Sequence, residues 1–175
     1  MTISAASSDP LSAHDDSTPL KSSGLPADGL PCVRRAAENY DVSEQIGHLL
    51  RKAYQKHLAI FGQNINDPQL TAVQFATLSA SRQLGPSSMS DLGKATAIDA
   101  ATTRGIIERL RARGLIRLEV NAEDRRKVIV ELTDAGNTLV EQATPVAAQI
   151  SELTMTSLNE VERVAVLYLL RKLST

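Results

Sequence analysis

SDLGKATAIDAATTRGIIERLRARGLI (residues 90–116) runs straight into RLEVNAEDRRKVIVELTDAG (117–136). The first part holds two short helical patterns separated at Ala97-Ile98. Ser88 and Asp91 have capping-box spacing, with Asp in place of Glu, and open a helix over 88–96. A second helix runs from about Asp99 to Arg113, is closed by Gly114, and turns Thr103, Ile106, Ile107 and Leu110 inward. LIRLEV (115–120) and VIVELT (128–133) are β-prone runs around the charged turn NAEDRRK (121–127), which reads as a hairpin. Two short helices, a tight connection and an Arg-rich hairpin are the parts of a winged helix-turn-helix.

Outward from this stretch the chain is helical. Thr71 and Gln74 form another capping-box pair, opening a helix to Leu84 with Val73, Phe75, Ala76 and Leu78 inward, and Gly85-Pro86 stops it. From about Asp41, residues Ile46, Leu49, Leu50, Ala53, Tyr54, His57, Ile60 and Phe61 recur at three- and four-residue steps as one apolar stripe. Thr133-Asp134 starts a long helix reaching Leu153, in which Pro145 is expected to kink or restart the helix. Asn159 caps a last helix. Residues 1–31 hold Pro10, Pro19, Pro26 and Pro31 among Ser, Asp and Thr with no periodicity, the composition of a flexible tail. The expected class is mainly α with a small β-hairpin wing, with a tail over 1–40 and the winged helix-turn-helix over 67–133.

Composition narrows the function. Among 175 residues there are three Tyr, two Phe and no Trp, which disfavours a β-sandwich. Cys32 stands alone and cannot make a disulfide within the chain or a Cys-based zinc site. No run approaches about 18 apolar residues, and the start lacks the basic flank and apolar block of a signal peptide, so a cytoplasmic protein without a membrane partner is expected. No nucleophile elbow, P-loop, dinucleotide fingerprint or HExxH motif is present, and His14, His48 and His57 do not make a metal site, so neither an enzyme nor a cofactor is expected. The net charge of −1 conceals a segregation: residues 88–130 carry nine of the nineteen Lys and Arg. A basic stretch of this kind can face phosphates, or it can simply be a solvated surface.

The B-DNA major groove admits one helix, which needs a bracing helix to present it rigidly. Small residues at the N-terminal end of the reading helix, Ala100, Ala101, Thr102 and Thr103, let its backbone approach base edges, and Arg104 can grip a guanine or a phosphate. Ser88 sits at the start of the bracing helix. At the hairpin tip Asp124, Arg125, Arg126 and Lys127 are placed to reach a minor groove, where Arg is favoured. Alternative readings stand beside these: Thr103 as a helix residue packed on the hairpin, Arg109, Arg111 and Arg113 solvated or paired with Glu108, and Arg117 with Glu119 on the solvent side of their strand.

TAVQFATL (71–78), 90–116 and above all NAEDRRKVIVELTDAG (121–136) resemble the MarR family of bacterial transcription regulators, over roughly residues 41–174. The resemblance implies a homodimer, with 41–66 and 134–175 as a helical dimerisation region interleaving across a twofold axis, and double-stranded operator DNA as partner. It implies that Arg126 enters the minor groove and Asp124 orients it. Gly93 stands where the family often has Ala, which is expected to loosen the bracing helix. Many family members bind small aromatic carboxylates between the dimer helices and the DNA-binding lobe. That implies an effector of the hydroxybenzoate or pyridine-carboxylate kind.

Residues for such a ligand come from the first helix. Arg51 and His57 can hold an anion and Tyr54 or Phe75 can cover a ring, with His48 on the far side of the same helix. The plainer alternative makes His57 a core or interface histidine bonded to a carbonyl. The leading expectation is a ligand-responsive repressor that binds a pseudo-palindromic operator. Two rivals remain: redox sensing through Cys32, whose thiol has Arg34 and Arg35 nearby, and a helical interaction module that does not bind DNA.

Overall fold

From Thr71 onward, each helix begins where the sequence supplies a side-chain cap. The computed structural model describes residues 40–120 and 128–174, and the body considered below runs from Ser43 onward. After a single 3-10 turn, Val42–Glu44, come α1 (Ile46–Asn64), α2 (Ala72–Leu84), β1 (Ser87–Ser88), α3 (Met89–Thr96) and α4 (Ala100–Ala112). They are followed by β2 (Ile116–Val120), β3 (Val128–Leu132), α5 (Asp134–Thr154) and α6 (Glu160–Leu173). Full capping boxes close the N-termini of α2 (Thr71 with Gln74), α3 (Ser88 with Asp91) and α6 (Asn159 with Glu162). Asp99 and Thr133 cap α4 and α5.

The hairpin pairs Ile116 with Leu132 through to Val120 with Val128. A third strand joins it: Ser87 and Ser88 pair with Val130 and Ile129, giving the order β1-β3-β2. A two-residue strand has no alternation to read, so the sequence shows only a hairpin. The core lies where α2, α3 and α4 meet this sheet, with Leu78, Leu92, Ile107, Leu110 and Val130 fully buried.

Several inward assignments shift. On α2 the buried face is Gln74, Thr77, Leu78, Ala80 and Ser81, while Ala76 is exposed and Val73 and Phe75 are half-buried. The Thr77 hydroxyl is satisfied by donating to the Val73 carbonyl at 2.8 Å, so a polar residue can occupy the core. On α1 only Phe61 is buried, and most of the stripe towards Ile46 lies open or partly open. Pro145 does not restart α5, which is one helix of 21 residues. The carbonyl left without a donor belongs to exposed Glu141, and buried Val140, Ala143 and Ile150 hold the helix on both sides of the proline.

Two glycines fix the lobe's geometry. A methyl on Gly136 would stand 2.0 Å from the Leu115 carbonyl oxygen, so α5 crosses the start of β2 only because no side chain is there. A methyl on Gly93 would meet the Ile98 oxygen at 3.0 Å and Thr103 Oγ1 at 3.2 Å. Gly93 therefore draws α3 and α4 together, the opposite of the loosening expected for a residue smaller than Ala.

Candidate functional site

The exposed end of α4 is organised by Asp99. Its Oδ1 accepts the backbone N–H groups of Ala101 at 3.0 Å and Thr102 at 2.9 Å. The Thr102 hydroxyl and these N–H groups hold the Asp99 carboxyl below the usual range. Ala100, Ala101 and Arg104 are exposed on this helix, and Lys94 on α3. A depression of about 320 Å³ between the two helices is walled by Ser90, Gly93, Lys94, Ala100 and Arg104 among others. Neither Lys94 nor Arg104 is held by a carboxylate among the described residues. Small residues flanked by two cations suit a phosphate-lined groove.

Thr103 is a correction. It is 1% exposed and packs beneath Gly93, with its hydroxyl 3.4 Å from the Ile98 carbonyl, so it joins α3 to α4 and cannot touch a base. Thr102 is exposed but turned to the other flank, where it lines a cavity. Ser88 uses its hydroxyl within its own cap, donating to Asp91 Oδ2 at 2.7 Å and accepting the Asp91 N–H at 3.2 Å. Asp124, Arg125, Arg126 and Lys127 lie outside the described residues, as does Cys32. Arg117 pairs with Glu119 at 3.0 Å and with Glu131, its cross-strand partner, at 2.8 Å. The solvent-side reading of that strand therefore holds.

Behind α4 lies a cavity of about 440 Å³. Tyr54, Leu58, Phe61 and Gly62 of α1 form one wall, Thr102, Ile106 and Arg109 of α4 another, and Pro68 with residues 70–74 a third. The lining is largely apolar. Arg109 brings a charge into it, with Nε donating to the Gly105 carbonyl at 2.9 Å.

Of the residues assigned to a ligand from sequence, only Tyr54 lines this cavity. The aromatic residues instead form a ladder: Tyr54 to His57 at 6.4 Å between ring centroids, His57 to Phe61 at 6.4 Å, and Phe61 to Phe75 at 6.1 Å. His57 is a rung behind the wall. Its Nδ1 lies 3.1 Å from Thr154 Oγ1, and that hydroxyl donates to the Ile150 carbonyl, so the imidazole nitrogen is the donor of the pair. This is the structural role the sequence left open, with a hydroxyl in place of a carbonyl. Phe75 faces a separate groove between α2 and α5. Arg51 is exposed one turn before Tyr54 on the same helical face and His48 is half-buried, and neither lines the cavity.

Sequence reasoning missed Arg109 and the 65–71 segment. The spacing of Thr102, Ile106, Arg109 and Arg113 marks a second stripe on α4, visible only once a helix-turn-helix is assumed to have a flank facing the other helices. Arg113 is neither solvated nor paired with Glu108. It forms an ion pair with Asp67. Among the described residues, no group of three His, Cys, Asp or Glu could hold a metal ion, and no helix is long and apolar enough to cross a membrane.

This arrangement has close relatives. A model of the MarR family matches residues 69–127. The HTH-type transcriptional repressor NicR of Pseudomonas putida is 63% identical over 134 residues, 77% of this chain and 85% of that protein. A structure describing the mechanism for regulation of DNA binding of Bordetella bronchiseptica BpsR by 6-hydroxynicotinic acid is similar at a TM-score of 0.73 and 56% identity, over 77% of this chain and 97% of that one. A mutant MarR from E. coli complexed with operator DNA is similar at a TM-score of 0.69 and 26% identity, over 76% of this chain and 98% of the other. These relatives are regulators rather than enzymes, and the resemblance carried by the helix-turn-helix and wing residues is confirmed: the chain belongs to the MarR family of transcription regulators.

Proposed function

We propose that this chain is a homodimeric transcriptional repressor, acting in the cytoplasm, that leaves its operator when a small aromatic acid enters the cavity behind α4. One observation carries the reading: Thr102, Ile106 and Arg109 of the reading helix form a wall of that cavity, so a ligand there touches the element that enters DNA. Repression is supported by the likeness to NicR, and a pyridine-carboxylate effector by the likeness to BpsR. Arg109 is positioned to receive the carboxylate, with Arg51 one helical turn from Tyr54 as a second cation and Tyr54 and Phe61 against the ring.

Pairing is supported by the chain's ends. On α6, Val161 is 78% exposed, Val164 70% and Tyr168 61%, and the helix makes few contacts with its own chain beyond its first turn. There Arg163 donates to the Leu158 carbonyl and to Glu152. Ile46, Leu49 and Leu50 open a second apolar stripe on α1. Helices 41–66 and 134–175 would bury both stripes between two copies, setting the reading helices about one DNA turn apart, on the order of 10 bp between half-site centres. Ala100, Ala101 and Arg104 then read the major groove, and Arg125, Arg126 and Lys127 reach the minor groove with Asp124 orienting Arg126.

The experiment begins with a duplex selected by the protein from a random pool. Its affinity is then measured with and without 6-hydroxynicotinic acid and 4-hydroxybenzoic acid. The reading expects one of these acids to weaken binding by about tenfold or more, and Arg109→Ala to abolish that response. Unchanged affinity with both acids would remove the effector assignment. Equal affinity for the selected and a random duplex would remove the operator assignment.

A further inference from the structure

Between α1 and α2 the chain makes one turn, Asp67-Pro68-Gln69-Leu70, with Asp and Pro where a type I turn favours them. The Leu70 N–H donates to the Asp67 carbonyl at 2.9 Å, and the Gln69 N–H donates to Asp67 Oδ1 at 2.9 Å. The carboxylate is thus fixed on one oxygen and offers the other, Oδ2, to Arg113 Nη2. The second arm of the guanidinium, Nη1, donates to the Gln69 carbonyl at 3.2 Å. Meanwhile Pro68, Leu70 and Thr71 of the same segment line the cavity. Alternate residues of one short turn therefore face a cavity wall and Arg113, the C-cap of the reading helix.

The reading helix shows the matching arrangement. Thr102, Ile106 and Arg109 face the cavity, and Arg113 continues that stripe one turn further on. Next to it the Thr133 hydroxyl donates to the Gly114 carbonyl at 2.7 Å, and the Thr133 N–H donates to the Leu115 carbonyl at 3.1 Å. The C-terminal end of α4 is thus tethered twice, to the turn and to the start of α5, while its N-terminal end, joined to α3 through Thr103, projects together with α3 and carries the exposed Ala100, Ala101 and Arg104. A helix of 13 residues is about 20 Å long, so a tilt of about 10° at the tether carries the projecting end through about 3 Å. That is comparable to one base-pair step of DNA.

We propose that the Arg113–Asp67 pair is the positioning contact through which occupancy of the cavity reaches the reading helix. The proposal rests on the reading of the cavity as the effector site. A ligand between α4 and the 68–71 wall acts on the turn and the helix together, and the ion pair ties the position of one to the other.

The test uses full-length protein, the selected duplex and 6-hydroxynicotinic acid as probe, with Asp67→Asn, Arg113→Gln and the double variant, and Arg113→Lys as a milder change. Each single variant is expected to lose about tenfold in affinity for the selected duplex, the double to be no worse than the worse single, and affinity for a random duplex to stay within about twofold. Calorimetry on DNA-free protein is expected to find the acid bound within about twofold of wild type, while the ratio of DNA affinities without and with acid falls towards one. Additive losses in the cycle, or an unchanged ratio in Asp67→Asn and Arg113→Lys, would overturn the proposal. If wild type fails to bind the acid, the cavity assignment falls by itself. The cycle on DNA affinity then decides the positioning role: non-additive losses sustain it and additive ones end it.

Discussion

The lobe from 67 to 133 and the two ends of the chain treat apolar residues in opposite ways. In the lobe, Leu78, Leu92, Ile107 and Leu110 are sealed from solvent, and the turns and caps satisfy the backbone locally. At the ends, α1 and α6 carry comparable leucines and valines that their own chain leaves largely uncovered. A lone helix of 14 residues is marginal in water at about that length, so α6 needs a surface to lie against. One copy of the sequence thus covers the apolar residues of the lobe and leaves those of α1 and α6 open. The cavity lies where the regions meet, with one wall from α1 and two from the lobe.

Substitutions should separate the two behaviours. Gly136→Ala should have the largest effect, since its methyl would stand 2.0 Å from a backbone oxygen. A loss of roughly 3 kcal/mol or more is expected, read as a melting temperature that falls at every protein concentration. Leu78→Ala should cost about 2–5 kcal/mol by emptying a sealed site, again independent of concentration. Val164→Glu should leave the lobe folded but raise the dimer dissociation constant by about a hundredfold, seen by sedimentation. A concentration-independent loss there would instead make α6 part of the single-chain core.

Smaller effects sharpen the assignment of α4. Thr103→Val should change stability by about 1 kcal/mol and leave duplex preference intact, whereas Arg104→Ala should shift preference among selected duplexes without moving the melting temperature. The smallest concerns acid. Burial raises the Asp67 carboxyl, but the hydrogen bonds from Arg113 and the Gln69 N–H and the charge of Arg113 outweigh it, and its pKa falls below the usual value. Its contribution is therefore present above an unfolded-state pKa of about 3.9 and lost as pH falls through the lower folded value. Chemical denaturation should show wild type above Asp67→Asn at neutral pH, with the difference closing below about pH 4.

The lobe was legible because its signals are local. Thr71 with Gln74, Ser88 with Asp91, and Asp99 mark helix starts within four residues of sequence, and the strands around 121–127 show their β-prone runs. Family membership followed from the same residues. Signals spanning longer distances were not readable. β1 exists only because β3 lies beside it. Thr103 looked like a base contact because a Thr near a helix start resembles one, until Gly93 is seen to cover it. The α1 stripe points to ligand residues from sequence alone, but His57 bonds Thr154 of α5 and Phe75 of α2 lines a groove against α5, while the cavity's cation comes from α4.

Sedimentation equilibrium of the full-length chain, alone and on the selected duplex, tests the pairing on which the repressor reading depends. Two copies in solution and two per duplex, both reduced to one by Val164→Glu with loss of duplex binding, is the predicted result. A wild-type chain that stays single and still binds the selected duplex at full affinity would contradict it.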